Sequence, residues 1–398
     1  MQSLVIVGAS LAGLAAARAA RRQGFGGRLV IIGAEAHRPY DRPPLSKAFL
    51  AGQLDVAGLS LEDPDEQLDA EWLLGRTATS FDPGPRDVVL DDGRRVHADK
   101  LVIATGAATR ELPQLAGVRN ALTLRTLDDA RRLRELVTPG GRLVVIGAGF
   151  IGSEVASAAR ELGMAVTVLE RSATPLLGPL GPHVAPVVAQ MHRRAGVQLW
   201  CDAVVDGFAL LDDRVTHVHL ADGRDLPADV VLVGIGATPN VSWLAGSGVA
   251  VADGVVCDEA GRTTVADVVA VGDCAAWFDP RSGTHERVEH WHGATERAAV
   301  ADGALLGHED AARTVAPPYF WSDQYGARLQ FAGRAARAET VVYEHGDPQQ
   351  DSFLVVYYAG TEPVAVLARD QPRQFTRWRK HLNKLSARPV AETAVLAG

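Results

Sequence analysis

The sequence predicts an α/β protein built around two parallel sheets. Two segments repeat the same succession of apolar strand, glycine-rich turn, alanine-rich helix and second apolar strand, which is the pattern of a βαβ unit. At 398 residues the chain is too long for one ordinary core, so we expect three domains. A hydrophobic fraction of 47% and a charged fraction of 22% are typical of a folded globular protein.

The first repeat begins near the N-terminus, with the sequence SLVIVGASLAGLAAARAARRQG. Gly8 suits the tight turn after the strand, and Gly13 allows close packing of helix and strand. The helix N-terminus would then face a pyrophosphate, although Ser10 stands where the usual pattern has its second glycine. Such a pattern also arises for packing reasons alone. Glu35, after the next strand, favours the dinucleotide interpretation because its carboxylate could accept ribose hydroxyls.

The second repeat, RLVVIGAGFIGSEVASAARELGMAVTVLER, carries the complete pattern Gly147-x-Gly149-x-x-Gly152. Glu170 ends its second strand and favours the free 2′-hydroxyl of NADH over the 2′-phosphate of NADPH. The adjacent Arg171 could soften this preference. Two dinucleotide sites in one chain suggest hydride transfer between a nicotinamide and a flavin.

Three further segments help to assign the two sites. KLVIATGAATR and DVVLVGIGATPN end in glycine-containing turns, and we interpret them as crossings between domains. VVAVGDCA places Asp273 after another apolar strand, where it could accept a hydrogen bond from a ribityl hydroxyl. Capping of the following helix is the alternative role for Asp273.

Several motifs together resemble the FAD-dependent ferredoxin reductases of bacterial dioxygenase and cytochrome P450 systems, across nearly the whole chain. They are GASLAG, PYDRPPLSK, ATGAATR, LRTLDDA, GAGFIGSEVAS, GIGATPN, AVGDCA, RVEHW and PYFWSDQYG. The resemblance implies two Rossmann-like dinucleotide-binding domains, as in glutathione reductase, and a C-terminal α+β domain. It places a discontinuous FAD domain in residues 1–108 and 236–313, an NADH domain in 109–235, and a C-terminal domain with a mixed sheet in 314–398.

The resemblance also implies the ligand-binding residues. FAD would be held by Gly8, Ser10, Ala12, Gly13, Glu35, Arg42, Lys47, Ala78, Thr105, Gly106, Arg125, Asp273 and Trp291. NADH would be held by Gly147, Gly149, Phe150, Ile151, Gly152, Glu154, Glu170 and Gly236. Many relatives carry an aspartate one position before Glu35, where this chain has Ala34, so the ribose contact depends on Glu35 alone.

The cysteines constrain the route of the electrons. The chain contains Cys201, Cys257 and Cys274, without metal-type spacing, and has no cysteine in residues 1–200. Disulfide reductases of the same group carry a redox-active pair where this chain reads RPYDRPPLSKAFL, so a dithiol relay is excluded at that place. We therefore expect electrons to leave the flavin directly, and interpret the cysteines as small buried residues.

Three side chains are expected to act at the flavin ring. An ion pair between Lys47 and Glu154 would place a cation near flavin N5, whereas a solvated loop lysine is the alternative. Trp321 could stack on the nicotinamide side or gate electron exit, or it could serve core packing alone. His290 and Trp291 would lie at a helix start against the ring edge, where the helix dipole favours negative charge. Structural filling is the alternative for His290.

Charge and composition limit the partners. The formal charge of −8 argues against nucleic acid, but the segment from Arg369 to Arg388 is basic and compatible with a helix. It could steer an acidic [2Fe-2S] ferredoxin that serves a cytochrome P450 or a Rieske dioxygenase, or form a solvated helix face. The sequence shows no metal-site pattern, membrane span or signal peptide, so we expect a cytoplasmic protein. A monomer and a weak homodimer both remain open.

Two rival functions remain open from the sequence. One is a flavoprotein with a soluble acceptor such as a quinone or monodehydroascorbate. The other is an NADH-sensing protein related to apoptosis-inducing factor, in which NADH binding changes assembly instead of sustaining turnover.

Overall fold

The structure is a computed structural model that describes residues 2–308 and 316–386. Within these ranges the α-helices are α1 (Leu11–Arg22), α2 (Leu127–Leu136), α3 (Phe150–Glu161), α4 (Leu177–Leu180), α5 (Ala185–Arg194), α6 (Trp291–Leu306) and α7 (Pro372–Ser386). None of the helices in the described part of the chain combines the length and apolar character that crossing a membrane requires.

The described residues also form 27 β-strands. Up to the second glycine motif they are β1 (Ser3–Val7), β2 (Arg28–Gly33), β3 (Ala70–Leu74), β4 (Ala78–Asp82), β5 (Asp87–Leu90), β6 (Arg95–His97), β7 (Lys100–Ile103), β8 (Ala107–Thr109), β9 (Ala121–Leu122) and β10 (Arg142–Ile146). The next strands are β11 (Ala165–Leu169), β12 (Gln198–Trp200), β13 (Val205–Leu211), β14 (Arg214–Leu220), β15 (Asp225–Pro227), β16 (Val230–Val233) and β17 (Ala237–Pro239). The last are β18 (Val251–Ala252), β19 (Gly254–Cys257), β20 (Val268–Ala270), β21 (Ala275–Asp279), β22 (Thr284–Arg287), β23 (Tyr319–Gln324), β24 (Ala327–Gly333), β25 (Thr340–His345), β26 (Phe353–Ala359) and β27 (Glu362–Arg369).

The first parallel sheet has the order β20-β7-β1-β2-β3. Its central strands are covered on both faces, and all of β1 is buried, whereas the edge strand β3 exposes Glu71. β1, α1 and β2 form the first predicted βαβ unit. β20 joins this sheet from late in the sequence, beside β7, so the first sheet combines two distant parts of the chain.

The second parallel sheet has the order β12-β11-β10-β16-β9 and contains the second predicted unit, β10-α3-β11. The two crossings predicted between domains meet each other, because β8 pairs with β17 in an antiparallel ladder. We retain domain boundaries at residues 108 and 236 as a proposal. The proposed boundary at residue 314 lies outside the described residues.

A third sheet follows, with the order β23-β24-β27-β26-β25. All of its described pairings are antiparallel, so the expectation of a mixed sheet was wrong. α7 covers one face through the buried Phe375 and Leu382. The fold is thus two parallel-sheet α/β units and a C-terminal α+β unit.

Candidate functional site

A cavity of about 770 Å³ opens at the carboxyl ends of the first parallel sheet. The residues that follow β1, β2, β7 and β20 all line it, and so do the first residues of α3 and the segment Phe320–Trp321 of β23. Ligands of open parallel sheets bind at this edge. All three parts of the fold therefore contribute to one cavity wall.

The first glycine loop forms one end of the cavity. A Cβ atom at Gly8, where φ is +127°, would lie 2.0 Å from the Ala104 carbonyl oxygen, and one at Gly13 would lie 1.8 Å from the Gly8 carbonyl oxygen. Both positions therefore require glycine. Ser10 is the N-cap of α1, but its side chain makes no capping hydrogen bond, so the first amides of α1 remain available to an anion. This loop fits a pyrophosphate.

Glu35 lies beyond the end of β2, beside two partners. It accepts hydrogen bonds from Arg42 and from the Tyr40 hydroxyl, both at 2.5 Å. Arg42 also donates to the Ser10 hydroxyl at 3.2 Å, which joins the acidic end of β2 to the glycine loop. The preceding Ala34 is exposed, so Glu35 supplies the carboxylate at this position.

Asp273 lies in a short 3-10 turn, Gly272–Cys274, directly after β20. Its carboxylate pairs with Arg125 at 2.7 Å, and both residues line the cavity. The turn brings Asp273 to the cavity rather than to the start of a longer helix, so the role of helix cap does not describe it.

Lys47 and Glu154 form the predicted ion pair, with 2.7 Å between the Lys47 Nζ and Glu154 Oε2 atoms. Glu154 is only 4% exposed. Lys47 also donates to the Pro43 carbonyl at 3.2 Å, which uses a second of its three ammonium protons. Since Lys47 lines the cavity, its third proton is available to a ligand there.

The wall opposite the glycine loop is aromatic. Trp291 is the first residue of α6, and its indole N–H donates to Asp41 at 2.9 Å. His290 caps α6, and burial lowers its pKa to about 4, so it is neutral at pH 7 and the helix N-terminus supplies the positive potential. Trp321 lines the cavity and stacks on Tyr319, with ring centroids 6.0 Å apart.

The second glycine loop lies at the carboxyl end of β10. A Cβ atom at Gly147 would lie 2.3 Å from the Gly234 carbonyl oxygen, whereas one at Gly149 would meet no protein atom within 4 Å. The protein packs closely against Gly147 and leaves open space beside Gly149. A pyrophosphate could therefore approach the backbone at Gly149. Glu170 accepts the Ala148 and Ser172 amide protons at 2.9 and 2.8 Å, which fixes its carboxylate at the loop.

The cavity gathers most of the predicted residues, but not all. The predicted residues that line it are Gly8, Ser10, Ala12, Glu35, Arg42, Lys47, Thr105, Gly106, Arg125, Phe150, Ile151, Glu154, Asp273, Trp291 and Trp321. Those that do not are Gly13, Ala78, Gly147, Gly149, Gly152, Glu170 and Gly236. Ala78 is buried on β4 in the hydrophobic core, and the others apart from Gly13 belong to the second loop and the crossing.

Sequence reasoning missed several polar residues of the site. Asp41 and Asn240 line the cavity, and Asn240 exchanges hydrogen bonds with Thr105 across the crossing. Asp41 stands inside the quoted PYDRPPLSK motif, which was a usable signal. Ser322, which contacts Glu154, stands inside the quoted PYFWSDQYG motif, but nothing in that motif indicated a partner on α3.

No cysteine lines the cavity within the described ranges. Cys257 and Cys274 are buried, and burial raises the pKa of both thiols. Cys201 is partly exposed and directly follows β12. The described cavity wall therefore offers no cysteine that could relay electrons as a thiolate.

Comparison with known proteins agrees with this geometry. Residues 2–298 match the family model of the pyridine nucleotide-disulphide oxidoreductases, and residues 319–395 match the model described as reductase C-terminal. Putidaredoxin reductase CamA of Pseudomonas putida is 36% identical, covering 94% of this chain and 90% of its own. The ferredoxin reductase component of chlorobenzene dioxygenase from a Cupriavidus strain is 38% identical, covering 99% and 95%.

A solved structure extends the likeness to three dimensions. The reductase in the covalent putidaredoxin reductase–putidaredoxin complex superposes with a TM-score of 0.92 at 34% identity, over 98% of this chain and 96% of that chain. Two motif-bearing βαβ units, a shared cavity and the full-length matches lead to one assignment. The chain belongs to the pyridine nucleotide-disulphide oxidoreductases and, within them, to the ferredoxin reductases of the putidaredoxin reductase and dioxygenase-component type.

Proposed function

We propose that the protein is an NADH-dependent flavoprotein reductase that passes electrons through FAD to a [2Fe-2S] ferredoxin serving a cytochrome P450 or an aromatic-ring dioxygenase. The observation that carries this proposal is one cavity that extends from the first glycine loop to the first turn of α3, directly after the second glycine loop, and has no cysteine in its described wall. Bound FAD would supply the chemistry, since a flavin accepts a hydride and can release electrons singly.

The FAD site uses the first glycine loop. The free amides of α1 and Ser10 hold the pyrophosphate, with Arg42 beside them. Glu35 would hold the adenosine ribose, and Asp273 and Arg125 would hold the ribityl chain, since all three line the cavity. Trp291 and the N-terminus of α6 border the ring and favour negative charge at its edge.

The NADH site uses the second loop. Gly149 leaves room for the pyrophosphate above α3, and Glu170, fixed by two amides, accepts the ribose hydroxyls of NADH and repels the phosphate of NADPH. Phe150 and Ile151 extend this site into the cavity. Lys47 and Glu154 line the same cavity as Phe150 and Ile151, so they would lie beside both bound rings.

Lys47 would act electrostatically on the flavin ring. Its ammonium is partly buried and keeps one proton for the cavity, so it stabilises negative charge that develops on the flavin during reduction. Glu154 holds the ammonium in place and limits its net charge. No proton transfer by either residue is required for this role.

The ferredoxin would dock near α7. Its solvent side carries a basic helix face made of Arg373, Arg377, Lys380 and Lys384. Arg379 lies over the Tyr319 ring at 4.0 Å, and Tyr319 stacks on Trp321 at the cavity. The aromatic pair therefore connects the cavity wall to the helix that would attract an acidic ferredoxin. Arg369 is buried against Asp351, and Arg388 lies outside the described residues.

We also place this reaction in the cytoplasm, where three unpaired cysteines suit a reducing compartment. The direct test of function is steady-state NADH consumption with cytochrome c as final acceptor, with and without an added [2Fe-2S] ferredoxin. Rapid ferredoxin-dependent flux is the expected result. Flux that is equally fast without ferredoxin would instead indicate a small-molecule acceptor, and the absence of flux would indicate a sensor of NADH.

A further inference from the structure

The Glu154 carboxylate is held by three separate parts of the chain. Its Oε2 atom accepts from Lys47 at 2.7 Å and from the Ser46 hydroxyl at 2.5 Å. Its Oε1 atom accepts from the Ser322 hydroxyl at 2.5 Å. Ser46 precedes Lys47, Glu154 lies on α3, and Ser322 lies on β23 of the C-terminal sheet.

Ser322 is oriented by its own neighbour. Gln324, two residues along β23 and on the same face, donates to the Ser322 oxygen at 2.9 Å. Because that bond occupies an acceptor position of Ser322, the hydroxyl proton is directed at Glu154. Ser322 is 0% exposed and Gln324 is 1% exposed, so no water competes for these contacts.

The two carboxylate oxygens of Glu154 contact different partners. Oε2 faces Lys47, and Ser322 is the donor that the described residues provide to Oε1. Hydrogen bonds to charged, buried groups are strong and directional. Without Ser322 the carboxylate could rotate about its terminal torsion, and its hold on the Lys47 ammonium would weaken.

We propose that Ser322 is a positioning residue for the flavin site, and that it sets the charge beside the ring by fixing Glu154 against Lys47. The inference rests on the proposed FAD site. It assigns the C-terminal sheet a part in tuning the flavin as well as in forming the cavity wall.

The test is the midpoint potential of bound FAD in the intact holoprotein, measured by equilibration with a reference dye. In Ser322→Ala, less of the positive charge of Lys47 is compensated, so reduced FAD is stabilised. We expect the equilibrium constant for two-electron reduction to rise about tenfold, which corresponds to about 30 mV. Ser322→Thr keeps the hydroxyl and should return the potential to that of the wild type.

Two controls make the result specific. Ser247→Ala removes another buried serine hydroxyl, one that donates to the Leu244 carbonyl away from the cavity, and should leave the potential unchanged. In a Glu154→Gln background, Ser322→Ala should add little further shift, because Ser322 acts through that carboxylate.

An unchanged potential in Ser322→Ala, or an equal shift in Ser247→Ala, would overturn the inference. Failure of the proposed function is a separate outcome: wild-type protein that retains no FAD, or whose FAD is not reduced by NADH. Circular dichroism of each variant establishes that a shifted potential comes from a folded protein.

Discussion

Lys47 and Glu154 form an ion pair in which Glu154 is buried and Lys47 is partly buried. Removing one member of such a pair leaves the other as an uncompensated buried charge, which typically costs 3 to 5 kcal/mol. We therefore expect Lys47→Met to lower the free energy of unfolding by about 3 kcal/mol and to slow the reduction of FAD by NADH. Urea unfolding and stopped-flow absorbance measure the two effects.

The double variant separates charge from packing. Adding Glu154→Gln to Lys47→Met removes the orphaned carboxylate and should restore most of the stability, while FAD reduction stays slow. A double variant as unstable as Lys47→Met would show that loss of packing, not of charge, explains the defect.

The residues of the site differ in how far their roles could be predicted from the sequence. Lys47 and Glu154 stand in motifs that resemble those of a known family, and both could be assigned before the structure. Ser322 also stands in such a motif, PYFWSDQYG, but its role could not be assigned, because only the packing of β23 against α3 brings it to Glu154. Asp41 was available within its motif but carried no partner until Trp291 was placed beside it.

At the level of elements, the turn between β23 and β24 inserts into the second α/β unit. The Tyr325 hydroxyl lies 2.6 Å from His192 Nδ1, and His192 Nε2 lies 3.2 Å from the Ser153 hydroxyl. Burial raises the pKa of Tyr325, so the phenol keeps its proton and donates to His192. The His192 ring therefore links α3, α5 and the C-terminal sheet in its neutral form.

This link should weaken in acid. Burial lowers the pKa of His192 to about 4, below the value of about 6.5 in an unfolded chain. Between these values the unfolded state binds more protons, so the stability contributed by neutral His192 is complete above pH 6.5 and is lost as the pH falls towards 4. The loss is on the order of 3 kcal/mol.

The measurement is the free energy of unfolding between pH 7 and pH 4. His192→Gln should show a shallower decline than the wild type over this window, whereas His217→Gln, at an exposed position on β14, should follow the wild type. Equal slopes in all three proteins would refute the assignment to His192.

The basic helix face of α7 leads to a prediction about the rate of ferredoxin reduction. Charge reversal at Arg377, Lys380 and Lys384 should slow ferredoxin reduction at low salt by about tenfold, and the difference should shrink as salt rises, because exposed charges act mainly on association. Stopped-flow rates at several ferredoxin concentrations and ionic strengths measure this effect.

A matched triple reversal provides the control. Arg94, Arg95 and Arg214 are exposed on hairpins outside the C-terminal sheet, and their reversal changes the net charge equally but should leave the rate nearly intact. Equal slowing by both sets would mean that net charge matters and the basic helix face does not.

For the C-terminal unit, only some of the elements could be predicted from the sequence. The helical character of residues near 372–386 was predictable from its pattern, but the strand directions were not. β23 and β24 are joined by the tight turn at Tyr325-Gly326, and β26 and β27 by that at Gly360-Thr361. Such short connections permit only antiparallel neighbours, which accounts for two of the four antiparallel pairings that replace the expected mixed sheet.

At the scale of the whole molecule, two βαβ units and one antiparallel sheet meet around a single cavity. The βαβ units were predictable from glycine spacing, because the motif glycines are required locally, either by a tight turn or by close packing of helix and strand. Their mutual arrangement was not, since it depends on the pairing of β8 with β17 and on β20 joining a sheet formed far earlier in the chain.

This arrangement would bring FAD and NADH together with no sulfur at the described cavity wall, and direct transfer from flavin to ferredoxin is the central claim. The most direct test is an anaerobic titration of ferredoxin reduction by NADH, using the variant Cys201→Ala/Cys257→Ala/Cys274→Ala beside the wild type. The account predicts that both proteins reduce about two ferredoxins for each NADH, at similar rates. A cysteine-free variant that keeps FAD and accepts hydride from NADH, but no longer reduces ferredoxin, would contradict it.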